Sequence, residues 1–221
     1  MTLNKILVPF FLLLSTIVLS QKKHPIKLGV NAGTNYNSIR GSNLTKDTKD
    51  SFGYCIGGSF EIQINSNLSF LTNINYERKS IVKNYRGFIY PNYVFDPTIP
   101  PTDVKEVTKF DYLSIPLLAK LYFDGYHESF INAGVSINVP IEVRNYFNDM
   151  QNNLDFNQLY GENYFGLQLG IGHDFELSEK TLLTLELRDN CGISEIESKS
   201  FYGESTKMNS INLIATWTIS L

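Results

Sequence analysis

Cysteine, tryptophan and histidine are scarce: the 221 residues hold two cysteines, one tryptophan and three histidines. Two thiols cannot staple a disulfide scaffold, and His24, His127 and His173 are too dispersed to form a metal-ligand set with them. No metal and no other cofactor is expected. A basic excess is also missing, because 19 Lys+Arg against 22 Asp+Glu give a net charge of -3. A chain that grips a phosphate backbone through many contacts needs the reverse, so nucleic acid is not an expected partner. Beyond the first twenty residues, no apolar run approaches the about 20 residues with which a helix crosses a hydrocarbon core. Gly170-Ile171-Gly172 lies inside a strand pattern rather than between a strand and a helix, which excludes a phosphate loop.

What is present suits one folded domain: 43% of residues are hydrophobic, and 13 Tyr and 15 Phe tilt the aromatics toward strand formers. At the N-terminus, Lys5 precedes the run ILVPFFLLLSTIVLS, which ends at Ser20 before Gln21-Lys22-Lys23. This is the layout of a secretory signal cut near Ser20, which predicts a signal peptide over 1–20 and a mature domain over 21–221. A mature chain without a helical span can enter a membrane only as a closed barrel.

From Ile26 onward the chain alternates with period two. Leu28 and Val30 oppose Gly29 and Asn31; Tyr54, Ile56, Phe60 and Ile62 oppose Cys55, Gly57, Ser59 and Glu61. Phe70, Ile74 and Tyr76 oppose Ser69, Asn73 and Glu77, and Leu113 to Phe123 oppose Tyr112 to Lys120 with the least clean polar face. Ile131 to Val139, Phe165 to Phe175, Leu183 to Leu187 and Ile211 to Leu221 complete eight such segments. One face of each is aliphatic and aromatic, while the other carries Gly, Asn, Ser, Gln and charge, too wet for a soluble core. The pattern predicts an all-β, eight-stranded antiparallel up-and-down transmembrane barrel with the oily face toward lipid. Links at 65–67, 124–128 and 178–180 are tight, whereas those at 37–52, 80–108, 140–163 and 193–208 are long. Short periplasmic turns and long outer loops alternate in this way in outer-membrane barrels. Aromatics on the oily face form two expected girdles: Tyr36, Tyr54, Tyr76 and Phe165 near the long loops, and Phe123, Phe175 and Trp217 near the turns.

The inward face offers a charge cluster. Counted from the short turns, Glu61, Lys120, Glu186 and Arg188 stand at similar middle heights, with Glu77 higher and Asp174 lower. An eight-stranded barrel is only wide enough for side chains, so these charges are expected to pair as a structural plug that leaves no ion path. Enzymatic signals are thin: a lipid-acting barrel needs a His beside a Ser or an acid, and His173, alone on the oily face, has no outward Ser beside it in the pattern. Cys55 and Cys191 fall on non-neighbouring strands with opposite parity, which argues against a disulfide. Tyr85, Phe88, Tyr90, Tyr93 and Phe95 cluster in the Pro-stiffened link over 80–108 and are the candidate partner-binding residues.

Three segments carry a resemblance. YLSIPLLAKLYF at 112–123, YFGLQLGIGHDFEL at 164–177 and LTLELRDNCGISEI at 183–196 resemble the Tyr-Leu-x-Ile-Pro-Leu-Leu-x-Lys, Phe-Gly-Leu-x-x-Gly-x-Gly and Leu-Glu-x-Arg-x-x-x-Gly-Leu-x-x-Ile segments of the PorT-like outer-membrane β-barrel proteins of Bacteroidota. The resemblance implies a small outer-membrane barrel and no particular role. Cys191, where an aromatic is common, and a C-terminal Leu221 depart from the pattern. The expectation is a non-enzymatic, monomeric outer-membrane barrel, closed to ions, that meets outer-membrane lipid and binds an envelope protein through its outer loops. A lipid-acting barrel enzyme and a secreted, soluble, lipocalin-like binding barrel are the alternatives.

Overall fold

The computed structural model describes residues 26–41, 47–87, 100–151, 160–196 and 206–221. The alternating segments form β1 (Ile26–Arg40), β2 (Thr48–Gln63), β3 (Leu68–Gly87), β4 (Thr102–Tyr122), β5 (Ser129–Phe147), β7 (Tyr164–Ser178), β8 (Thr181–Gly192) and β9 (Lys207–Ser220), with a two-residue β6 (Met150–Gln151). Each long strand pairs antiparallel with the next, β4 pairs with β5, and β9 returns to β1 with Ala215 opposite Ala32. Eight strands thus close into a ring. Closure satisfies every strand edge internally, as a wall placed in lipid requires. β6 stands outside the ring, folded back on β5 by Asn148 and Asp149, both at positive φ. That pair of conformations makes a two-residue hairpin whose twist suits its strands.

Parity sorts the two faces as the alternation predicts. Asn31, Ser59, Glu61, Asn73, Ser114, Lys120, Asn132, Gln168, Glu186, Arg188 and Asn212 are buried in the lumen, whereas Val30, Ile74 and Leu169 are 62%, 60% and 63% exposed on the outer wall. Each side chain of this size gains about 1.5–3 kcal/mol on leaving water, so a belt of them drives insertion into lipid. Polar groups inside and oil outside invert a soluble barrel and remove the lipocalin-like alternative. Tyr36, Tyr54 and Phe165 line the upper rim of the belt, joined by Phe52, which packs on Tyr36 at 5.0 Å. Phe123, Phe175 and Trp217 line the lower rim.

Small residues on the inner wall follow from the narrow bore. A Cβ on Gly170 would collide with Asn132 and Glu186, and one on Gly172 would enter the Phe130 ring. The Gly-x-Gly of β7 thus clears space for lumen side chains.

The long links are shorter than the alternation suggests, because the strands outrun it. β3 and β4 stay paired to Gly87 opposite Thr102, and β5 continues past Pro140 to Phe147. Tyr85 therefore sits on β3 opposite Val104 rather than in a loop. Above the lipid both faces of a strand meet water, so the hydrophobic period disappears while the backbone ladder persists.

Candidate functional site

The lumen is built in layers. Nearest the short turns, Lys120 bridges two acids, with Nζ 3.1 Å from Glu61 Oε2 and 2.8 Å from Asp174 Oδ2. Lys27 adds a second cation 3.3 Å from Glu61, and the Tyr122 and Thr184 hydroxyls donate to Asp174 at 2.8 and 2.6 Å. Above it, Arg188 holds Glu186 through Nε and Nη2 and reaches Asn73 at 3.2 Å, while Asn132 donates to Glu186 at 2.9 Å. In a third layer Lys79 pairs with Glu77 at 3.1 Å and donates to Tyr164 and Ser210.

The four expected residues therefore all point inward, but they form two pairs in two layers: Glu61 with Lys120, and Glu186 with Arg188. Asp174, Lys27, Tyr122, Glu77 and Lys79 complete the network. Tyr122 shares the parity of Lys120 two residues earlier, which is the sequence signal that could have found it.

Each layer is electrically balanced. Lys27 and Lys120 face Glu61 and Asp174, Arg188 faces Glu186, and Lys79 faces Glu77. Pores that select ions present rings of charge of one sign. Over the top layer lies an apolar seal of Phe110, Tyr112, Val143, Tyr164, Ile196 and Met208, with Tyr112 edge-on to Tyr164 at 5.1 Å. Phe110 and Tyr112 belong to the inward parity of β4, so the untidy polar face of that strand was itself the signal. Above the seal, a cavity of about 160 Å³ opens at the mouth between Ile39, Ile81, Lys83, Glu106 and Thr108.

At the opposite end the structure corrects the reading of His173. Register places Ser129 directly beside it, with Oγ 3.0 Å from Nδ1, and Glu128 Oε2 lies 3.8 Å from Nε2. Ser129 follows the 124–128 link but precedes the clean alternation of β5, which begins at Ile131, so the pattern assigns it to neither and its register with His173 stays hidden. Ser129 and His173 stand at the spacing of a nucleophile and a base, while Glu128 lies beyond hydrogen-bond reach of the ring. However, the N–H groups of Ser129 and Glu128 both donate to the Asp124 carboxylate, at 2.6 and 2.9 Å. Neither is free to stabilise an oxyanion. The slight desolvation of Asp124 favours its neutral form but is outweighed by these donors, so its carboxyl titrates below the usual aspartate range.

Among the outer-loop candidates, Tyr85 lies on the protruding β3–β4 ladder; Phe88, Tyr90, Tyr93 and Phe95 lie outside the described residues, as do residues 1–20. Cys55 is buried in the lumen and Cys191 is half-buried on β8; both are free.

A closed eight-stranded ring with a polar, filled bore and an oily outer wall is a transmembrane β-barrel. The family model described as outer membrane protein beta-barrel domain matches residues 19–198, and the chain belongs to that family. It is an outer-membrane barrel protein. Among solved structures it is similar to Neisserial surface protein A, with 17% identity and a TM-score of 0.47 over 88% of this chain and 96% of that one. OprG from Pseudomonas aeruginosa shows 12% identity and a TM-score of 0.44 over 90% and 97%. Ail of Yersinia pestis shows 10% and 0.40 over 87% and 97%. No curated protein matches the sequence.

Proposed function

We propose that the protein is a sealed, non-enzymatic outer-membrane barrel that anchors an envelope partner through the strands and loops it raises above the lipid. The observation that carries the sealed reading is the stack of neutral charge layers beneath an apolar plug. The protruding β3–β4 ladder, ending in the aromatic-rich stretch with Phe88, Tyr90, Tyr93 and Phe95, supports the anchoring role. The motifs at 112–123, 164–177 and 183–196 favour placement among the PorT-like barrels, and the N-terminal run favours processing near Ser20.

One experiment tests both halves, using the intact chain and a variant in which residues 88–101 are replaced by a tight turn. Both are expected to show no steady conductance in planar bilayers, because every residue of the plug lies outside the replaced segment. The variant is expected to fold, as gel mobility with and without boiling reports, yet to lose the partner that the intact chain retains from native membranes. Steady large conductance defeats the sealed reading, and equal partner recovery removes the binding role from this segment.

The Ser129–His173–Glu128 trio favours a second reading, a lipid-acting enzyme at the inner leaflet. With both nearby N–H groups committed to Asp124, the intact chain is expected to release no fatty acid from phospholipid vesicles above the level of S129A. Release that S129A and H173A both abolish would establish the enzymatic reading.

A further inference from the structure

On the outer wall, above the lipid belt, three strands bring charges together. Arg78 on β3 pairs in register with Asp111 on β4, and Lys109 on β4 pairs in register with Arg144 on β5. Asp111 is almost fully buried and serves both arginines: Arg78 Nε reaches Oδ1 at 2.6 Å and Nη2 reaches Oδ2 at 2.7 Å, while Arg144 Nη2 reaches Oδ2 at 2.6 Å. Arg78 also lies over the girdle rings of Tyr54 and Tyr76, at 5.6 and 6.0 Å, and donates to the Tyr76 hydroxyl. Its contact with these outward rings fixes the cluster on the exterior. Lys109 stands over the Tyr146 ring at 4.5 Å.

A single ion pair across the strands would need one arginine. Here Arg78, Lys109 and Arg144 face two carboxylates, Asp111 and Glu142, and Glu142, 3.3 Å from Arg144 Nε, has its side chain 48% exposed. One positive charge is left over on this patch. The Nη1 groups of both arginines take no part in the bonds to Asp111 or Tyr76. Each guanidinium side chain remains about a quarter exposed, at 24% and 26%. Paired guanidiniums with free donors match the oxygens of a phosphate.

Height identifies the occupant. Tyr76 and Leu113 form the lipid-facing pair directly below, two residues down each strand, and two residues at about 3.4 Å each on strands tilted about 40° rise about 5 Å. A lipid whose chains lie on Ile74, Leu113 and Val139 thus carries its headgroup to this cluster.

We propose that Arg78, Arg144 and Lys109 form a binding site for the phosphate of an outer-leaflet glycolipid, with Asp111 holding the two guanidiniums side by side. The site ties the barrel wall to its surrounding lipid and sets its depth in the leaflet. It is tested independently of the proposed partner binding, since none of its residues lies in the 88–101 segment replaced in that experiment.

The test uses the full chain in detergent micelles, offered phosphorylated lipid A, the same lipid after phosphate removal, or inorganic phosphate, with retention read by native mass spectrometry. Wild type is expected to retain the phosphorylated lipid at least about tenfold better than the dephosphorylated one, the scale of a charge-assisted contact. R78Q/R144Q is expected to lose that preference, and K109Q to lose it severalfold. Heat-modifiable gel mobility checks folding; if the double variant does not fold, K109Q decides, because Lys109 makes no bond to Asp111. Equal retention of both lipids by wild type, an unchanged preference in K109Q, or inorganic phosphate that displaces the lipid at equal concentration would each overturn the proposal.

Discussion

Replacing Lys120 by methionine is expected to cost about 3–5 kcal/mol of folding stability in lipid vesicles, the scale of a buried ion pair that has lost one partner. Lys120 is 1% exposed and holds the carboxylates of Glu61 and Asp174 together. Without it the two acids face each other in the bore, and Lys27, 3.3 Å from one and 3.9 Å from the other, is the only remaining cation of the layer among the described residues. The measurement is convenient, because Trp217 is the single tryptophan and lies on the lipid face. Its emission therefore follows insertion and unfolding in a urea titration. Adding D174N to the Lys120→Met background removes the surplus negative charge and is expected to recover at least about half of the loss by the same bookkeeping. A variant that unfolds at the wild-type urea concentration would show that this layer does not hold the barrel.

The charged residues of the lumen are legible one at a time but not as layers. Parity alone assigns Glu61, Lys120, Glu186 and Arg188 to the lumen, because a period-two strand leaves only two directions. Counting heights from the turns treats the strands as upright, whereas barrel strands tilt by about 35–45° and their register is sheared. The hydrogen-bonded row through Lys120 runs Ser69, Asn132, Gly170 and Arg188, which climbs around the wall. Lys120 consequently meets Glu61 and Asp174 across the bore, while Arg188 meets Glu186 and Asn73 in the layer above.

The misread segments share a cause. The alternation places Tyr85 in a loop and assigns Ser129 to no strand, because both lie where the oily stripe ends. Lipid supplies the contrast between faces, so alternation marks only the stretch that lipid touches. Pairing is set by the backbone and continues beyond it, to Gly87 opposite Thr102 above and to Ser129 opposite His173 below. The Ser–His contact and the outer Arg78–Asp111–Arg144 cluster both arise in these margins, and both depend on register between strands distant in sequence.

Depth on the outer wall gives the second large effect. L169R is expected to cost about 2–4 kcal/mol of folding into lipid, whereas L177R on the same strand is expected to cost about 0–1 kcal/mol. Both leucines face outward on β7 with similar exposure, 63% and 60%. Phe165 and Phe175 mark the two rims of the belt on that strand, which puts Leu169 within the hydrocarbon and Leu177 beyond the lower rim. An arginine at 177 extends into headgroups and water; one at 169 must stretch along the wall or drag water inward. Comparing two sites on one strand is cleaner than comparing faces, because an inward position such as Ser114 is fully buried and an arginine there would suffer from crowding as well as depth. Urea titrations of both variants in vesicles, again read by Trp217, separate the cases. Equal costs at 169 and 177 would mean that the belt does not lie between the aromatic rims, and with it would fall the height at which Arg78 and Arg144 meet the headgroups.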